Sequence, residues 1–240
     1  MFNVQDFLRF IEQCPTAFHA SATVGAMLRE AGFIQLEEHE SWSGESGKYF
    51  VIRAGSLIAW VEPDLVAPES GFTILAGHTD SPHLRVKQQH DMRAFGLGLL
   101  ALEPYGSPIL STWFDRDLGI AGRLVLTDGS EVLVNLAQPL VRVPHLAIHL
   151  DRDKGQANPQ TQLNGIWAKS EGSFLDYLAK VEGLDSSTIA GYELMAFDVA
   201  PAALSGADEF LLSSGRLDNL VTVWASLQAL LAAPNNQRSV

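Results

Sequence analysis

Apolar residues open the chain at helical spacing, with Val4, Phe7, Leu8 and Ile11 on one face and Asn3 ahead of them as a capping residue. The pattern predicts a short amphipathic helix ended by Pro15. A second helix is predicted from Thr16 to Ala31, with Val24, Met27 and Leu28 inward and Gly32 as the left-handed stop. The period then shortens. "KYFVIRAGSLIAWVEP" holds two β-rich runs on either side of Ala54 and Gly55, which predicts an antiparallel hairpin or a closely connected pair. "FTILAG", residues 72–77, is almost wholly apolar and predicts a central strand covered on both faces. After Lys87 the chain is punctuated by Gly and Pro, with short strand patterns and an Asp128-Gly129 turn signal. Residues 151–172 are polar and without period, and predict loop. "SFLDYLAKVEG" predicts a helix, "YELMAFDVAP" a strand, and Leu217, Leu220, Val221, Trp224 and Leu231 a closing helix ended near Pro234. The order predicts an α/β sandwich on a mixed sheet, covering residues 1–87 and 191–240. A β-rich insertion at 88–190 interrupts it.

Composition narrows the function classes. Hydrophobic residues make up 47% of 240 positions, ample for a packed core. The formal charge of -12 repels phosphate backbones and anionic lipid, which argues against nucleic acid and membrane surfaces as partners. Cys14 is the single cysteine and cannot close a disulfide within the chain, in keeping with a reducing compartment. The N-terminus lacks the uninterrupted apolar core of a signal peptide, and no run approaches the roughly 18–20 apolar residues of a membrane span. A cytoplasmic protein is the expectation.

Four stretches can carry chemistry. In "GHTDSP", His78 and Asp80 follow the predicted strand, where sites lie in open α/β sheets. Two apart in extended backbone, they lean to one side, so Asp80 can accept a hydrogen bond from the imidazole nitrogen not used for a metal. As an isolated motif the pair is equally a polar strand end. In "SGRLDNL", Asp218 begins the last helix; it reads either as an N-cap or as a carboxylate that bridges two cations. In "RVPHLAIHL", His145 and His149 are four apart: on a helix they share a face, and on a strand they stand about 13 Å apart, too far for one ion. Separate roles are expected for them. The Asp115-Arg116-Asp117 run beside Trp113 and Phe114 reads either as an active-site cluster or, more economically, as a structural ion pair that anchors the insertion.

These stretches do not stand alone. "TAFHA", "LAGHTDSPHLRVK", "YGSPILSTWFDRDLGIAGR", "RVPHLAIHL" and "SGRLDNL", in that order, closely resemble the aspartyl aminopeptidase family of metallopeptidases over essentially the whole chain. The resemblance implies a dinuclear, usually zinc, exopeptidase that removes N-terminal Asp or Glu from peptides. It implies His78 as a ligand of one metal, Asp218 as the bridging ligand, and Asp80 as the residue that orients His78. It makes the insertion a dimerisation domain, with His149 reaching into a neighbouring subunit's active site to hold substrate or transition state. It also implies homo-oligomers in which dimers assemble into a dodecamer. Cobalt or manganese suits the same His and carboxylate donors.

The chain departs from the family at one point. The Glu-Glu pair expected on the strand after the last helix, and the later Asp and His ligands, are missing; the sole Glu-Glu here, Glu37-Glu38, precedes the first ligand. Two ligands without a base do not make a catalytic centre, which takes three protein ligands plus water. The expectation is therefore the N-terminal part of a longer enzyme, an incomplete peptidase domain inactive by itself. The alternative is a non-catalytic homologue that keeps the insertion for assembly and has lost the metal centre.

Overall fold

The computed structural model describes residues 3–64, 71–150, 157–169, 172–233 and 240. Its elements in order are α1 (Val4–Gln13), α2 (Ala17–Glu30), β1 (Ile34–Gln35), β2 (Gly47–Arg53), β3 (Ser56–Glu62), β4 (His83–Ala94), β5 (Leu97–Tyr105), β6 (Leu118–Leu126), β7 (Glu131–Val141), β8 (Asn164–Ala168), α3 (Phe174–Glu182), β9 (Ile189–Asp198), β10 (Ala203–Ser205), β11 (Leu211–Ser213) and α4 (Leu217–Ala232). They form two compact units. One comprises Met1–Ser81 with Ala202–Val240, the other Pro82–Pro201. The insertion limits expected at 88 and 190 fall inside β4 and β9, continuous strands of the second unit. A ladder does not break where composition changes, so the unit runs on to Pro82 and Pro201.

In the first unit, α1 starts where the Gln5 N–H donates to the Asn3 side chain at 3.0 Å. Its buried face of Phe7, Phe10 and Ile11 meets Trp224 of α4, with ring centroids 6.0 Å from Phe7 and 5.1 Å from Phe10. Val24 and Leu28 of α2 and Phe50, Ala59 and Val61 of the β2–β3 hairpin complete this core. The hairpin is antiparallel, Arg53 opposite Ser56, and β1 adds to β2 in parallel.

Residues 72–77 correct the sequence reading. They form no strand beyond a single bridge at Thr73 and are exposed, Phe72 at 53% and Ile74 at 65%. Their backbone pairs with Val240: the Leu75 N–H donates to its carbonyl at 2.8 Å, and its N–H donates to the Thr73 carbonyl at 2.9 Å. An apolar, β-branched run sets extended backbone by itself, whereas burial needs elements to cover it.

The second unit is a six-stranded antiparallel sheet, in the order β7-β6-β9-β4-β5-β8. Arg142, just beyond β7, exchanges backbone hydrogen bonds with Ile166 of β8 at 3.0 and 2.8 Å, so the two outer strands meet and the sheet closes on itself. Closure removes both sheet edges there. It depends on Gly165, where a Cβ would lie 2.2 Å from Val141 Cγ1. Leu84, Leu100, Leu118, Ile120, Leu124 and Leu194 fill the interior with Phe174 and Leu178 of α3. The first N–H of α3 donates to the Asp91 carboxylate of β4 at 2.9 Å, and Gly183 ends the helix with φ +69°. The loop expected over 151–172 is corrected by β8, which pairs with β5; residues 151–156 and 170–171 lie outside the described residues.

Candidate metal centre

The predicted pair and the predicted bridging carboxylate meet in the first unit. His78 Nδ1 lies 3.0 Å from the Asp80 carboxylate oxygen and 3.0 Å from the Asp80 carbonyl oxygen. Both oxygens are acceptors, so Nδ1 is the ring nitrogen that donates to them and Nε2 serves the opposite side. That nitrogen lies 3.2 Å from Asp218 Oδ1. A ring nitrogen and a carboxylate oxygen thus face each other, a pair that either a shared cation or a proton on Nε2 joins. Ligands at zinc–nitrogen and zinc–oxygen distances of about 2.0–2.2 Å stand about 3.3 Å apart on a tetrahedral ion. The donor types and their spacing fit one shared cation, and with side chains 55% and 79% exposed the pair is open to an ion from solvent.

Two local features bring the groups together. Gly77 passes close to α4, where a Cβ would lie 3.1 Å from Asn219 Nδ2 and 3.1 Å from Thr222 Cγ2, so the missing side chain lets His78 approach the helix start. At that start Arg216 is left-handed, and Asp218 and Asn219 have non-helical φ/ψ of -85°, 109° and -118°, 21°. The regular helix therefore begins after them, and Asp218 projects from an irregular turn. Of its two sequence readings the capping one fails: among the described residues its carboxylate takes no hydrogen bond from the helix N–H groups and faces His78 instead.

Sequence reasoning missed Gly77 and Thr79. The Thr79 hydroxyl donates to the Gly55 carbonyl of the β2–β3 turn at 2.6 Å. A threonine between a histidine and an aspartate was the available signal, without a partner to give it meaning. His19 of "TAFHA" lies on α2, its Nδ1 2.9 Å from the Thr16 hydroxyl, and burial pulls its pKa down to about 4. Among the described residues no three His, Cys, Asp or Glu side chains gather at one metal-sized site, so the pair stands short of a complete set.

His149 belongs to the second unit, in an exposed turn where the Leu150 N–H donates to the Ala147 carbonyl at 2.8 Å. His145 makes contacts of its own. Its ring stacks on Phe114 at 4.1 Å, and Nδ1 lies 3.1 Å from the Asp115 carboxylate. The His145 backbone N–H, donating to Asp115 at 3.0 Å, is the main reason that this carboxyl sits below the usual carboxylate range. Arg116 pairs with Asp198 and Asp117 with Arg142, ion pairs within the second unit.

Known proteins share this arrangement of sequence and fold. The chain is 43% identical over 238 residues to a probable M18 family aminopeptidase 2 of Mycobacterium leprae, covering 95% of this chain and 56% of the relative. It is 41% identical over 238 residues to the protein so described in Streptomyces avermitilis, covering 96% and 55%. Among solved structures, prApe1 superposes with a TM-score of 0.91 at 26% identity, covering 98% of this chain and 57% of that one. The Ape4 and Nbr1 complex contains a chain that superposes at 0.89 and 33% identity, covering 98% and 52%. The S. cerevisiae mApe1 dodecamer gives 0.83 at 26%, covering 98% and 58%. The chain thus spans about half the length of these relatives. With residues 10–240 also matching the profile of the aminopeptidase I zinc metalloproteases, the chain belongs to the M18 family.

Proposed function

We propose that the chain is the ligand-bearing first part of an M18 aminopeptidase that removes N-terminal Asp or Glu from peptides, and that it does not turn over substrate alone. The observation that carries this reading is the 3.2 Å approach of His78 Nε2 to Asp218 Oδ1, with Nδ1 of the same ring held by Asp80. In the reading His78 and Asp218 would hold the cations, Asp218 as the ligand shared between two of them, and Asp80 orients the His78 ring through Nδ1. Two divalent ions held there, zinc by family with cobalt or manganese as substitutes, would acidify a water, polarise the scissile carbonyl and seat the substrate α-amine. His149, on its exposed turn, serves the active site of a neighbouring copy in a homo-oligomer, as dimers assembled into a dodecamer. Support for assembly comes from the exposed apolar side chains Phe95, Ile109, Leu146, Ile148 and Leu150 of the second unit, and from the dodecameric mApe1 relative. No described helix is long and apolar enough to cross a membrane, and a cytoplasmic location fits the lone buried Cys14.

Zinc titration of the 240-residue chain tests the site. Weak binding that His78→Ala and Asp218→Ala each abolish is expected, with no release of aspartate from an N-terminal aspartyl substrate. Binding indifferent to both substitutions overturns the ligand assignment, and turnover overturns inactivity. A chimaera of this chain with the remaining half of the M. leprae relative tests specificity: it should cleave aspartyl over leucyl p-nitroanilide, and the reverse preference refutes the acidic reading.

A further inference from the structure

Thr79 stands between the two members of the His78–Asp80 pair, at a bend of the backbone. Its hydroxyl donates to the Gly55 carbonyl at 2.6 Å. The turn that carries Gly55 is itself clamped to α2. The buried Ser21 hydroxyl, 1% exposed, donates to the Ala54 carbonyl at 2.9 Å and lies 3.0 Å from the Phe18 carbonyl. On the same turn Ala54 is left-handed at φ +52°, and a Cβ on Gly55 would lie 2.8 Å from Ala17 Cβ. A continuous path therefore runs from the buried start of α2, through the hairpin turn, to the residue between ligand and orienting carboxylate. The segment before it, 72–77, is exposed and outside the sheets. Orientation of the pair has to come from contacts such as this one, since a sheet ladder does not provide it.

We propose that Thr79 is a positioning residue: its bond to Gly55 holds the loop so that the His78 ring keeps its Nδ1–H on Asp80 and aims Nε2 at Asp218. The consequence for metal binding rests on the reading above; the orientation of the ring does not. Released from Gly55, the bend at Thr79 relaxes and the His78–Asp80 bond is made only part of the time. The exposed ring then drifts toward the Nε2–H tautomer that a free neutral imidazole prefers, which removes the lone pair from the cation side.

The test uses the whole chain labelled with ¹⁵N-histidine, under alkaline conditions where imidazole is neutral, and reads the tautomer of His78 without metal. Wild type and Thr79→Ser should show the Nδ1–H form, because both present a hydroxyl to Gly55. Thr79→Val should show a mixture. A parallel cobalt titration should give affinity lower by about 10- to 100-fold in Thr79→Val and near wild type in Thr79→Ser, the range for loss of an orienting partner. An unchanged tautomer in Thr79→Val overturns the proposal. Should that variant not fold, Ser21→Ala, which frees the same turn from the helix side, decides by the same spectrum: a mixture supports the proposal and a single Nδ1–H form overturns it. A tautomer shift in chains that bind no cobalt keeps Thr79 as the positioning residue and sinks the metal reading alone.

Discussion

Replacing Gly77 by alanine separates geometry at the metal centre from stability of the fold. The added Cβ would stand 3.1 Å from Thr222 Cγ2 and 3.1 Å from Asn219 Nδ2. Carbon atoms rest at about 3.5–4.0 Å, so the segment or the helix start must yield by about 0.5 Å. His78 is the next residue, with Nε2 3.2 Å from Asp218 Oδ1. A retreat along that line opens the gap to about 3.7 Å, beyond the tolerance of about 0.2 Å that metal–ligand distances allow. Cobalt affinity, read by calorimetry, should fall about tenfold, the lower end of what misplacing a ligand costs. Unfolding stability should fall by only about 1 kcal/mol, the bottom of the overpacking range, because the side chains it meets are half-buried and can shift. Thr222→Ser removes the crowding methyl, so the double variant should regain part of the affinity. Wild-type affinity in Gly77→Ala, or no recovery in the double variant, would refute the claim that this glycine sets the approach of His78 to Asp218.

Other tests reach different parts of the molecule. Gly165→Ala should destabilise the second unit by about 2–3 kcal/mol in urea unfolding, since its Cβ would stand 2.2 Å from Val141 Cγ1, and Val141→Ala should relieve much of that loss. His19, with its pKa drawn down to about 4 by burial, binds its proton more readily in the unfolded chain. Its contribution to stability is complete above pH 6.5 and is lost as pH falls toward 4, so His19→Gln should flatten the stability profile across that window. Cys14, its thiol pushed up to about 12 by burial, should stay unlabelled by a thiol reagent at about pH 8 until the chain is unfolded in urea; rapid labelling of the folded chain would contradict its place in the core.

What the sequence disclosed was set by how local each cause is. The Asn3 cap, the Ala54-Gly55 hairpin and the Asp128-Gly129 turn between β6 and β7 each depend on residues a few positions apart, and they stand where the pattern puts them. The second half of β4, "QQHDMRA", is polar and mostly exposed; it is a strand because β5 pairs with it, and no period within the segment announces that. The "FTILAG" run shows the converse, an apolar pattern that specifies extended backbone while burial depends on a cover elsewhere. The metal centre divides along the same line. His78 and Asp80 were legible as a pair from their spacing, and the 3.0 Å bond is present, although the backbone bends at Thr79 between them where extended backbone was expected. Asp218 was assigned by resemblance, since a carboxylate near a helix start has a commoner use as a cap. What excludes that use is the irregular backbone of Asp218 and Asn219, together with the way Gly77 lets the opposite segment come within contact. Both depend on side chains that are absent or turned aside, and a pattern of hydrophobic and polar letters carries no trace of either. The residues that hold a ligand in place are therefore harder to read than the ligand, because the chemistry of a donor is written in its own side chain and its aim is written in its neighbours'.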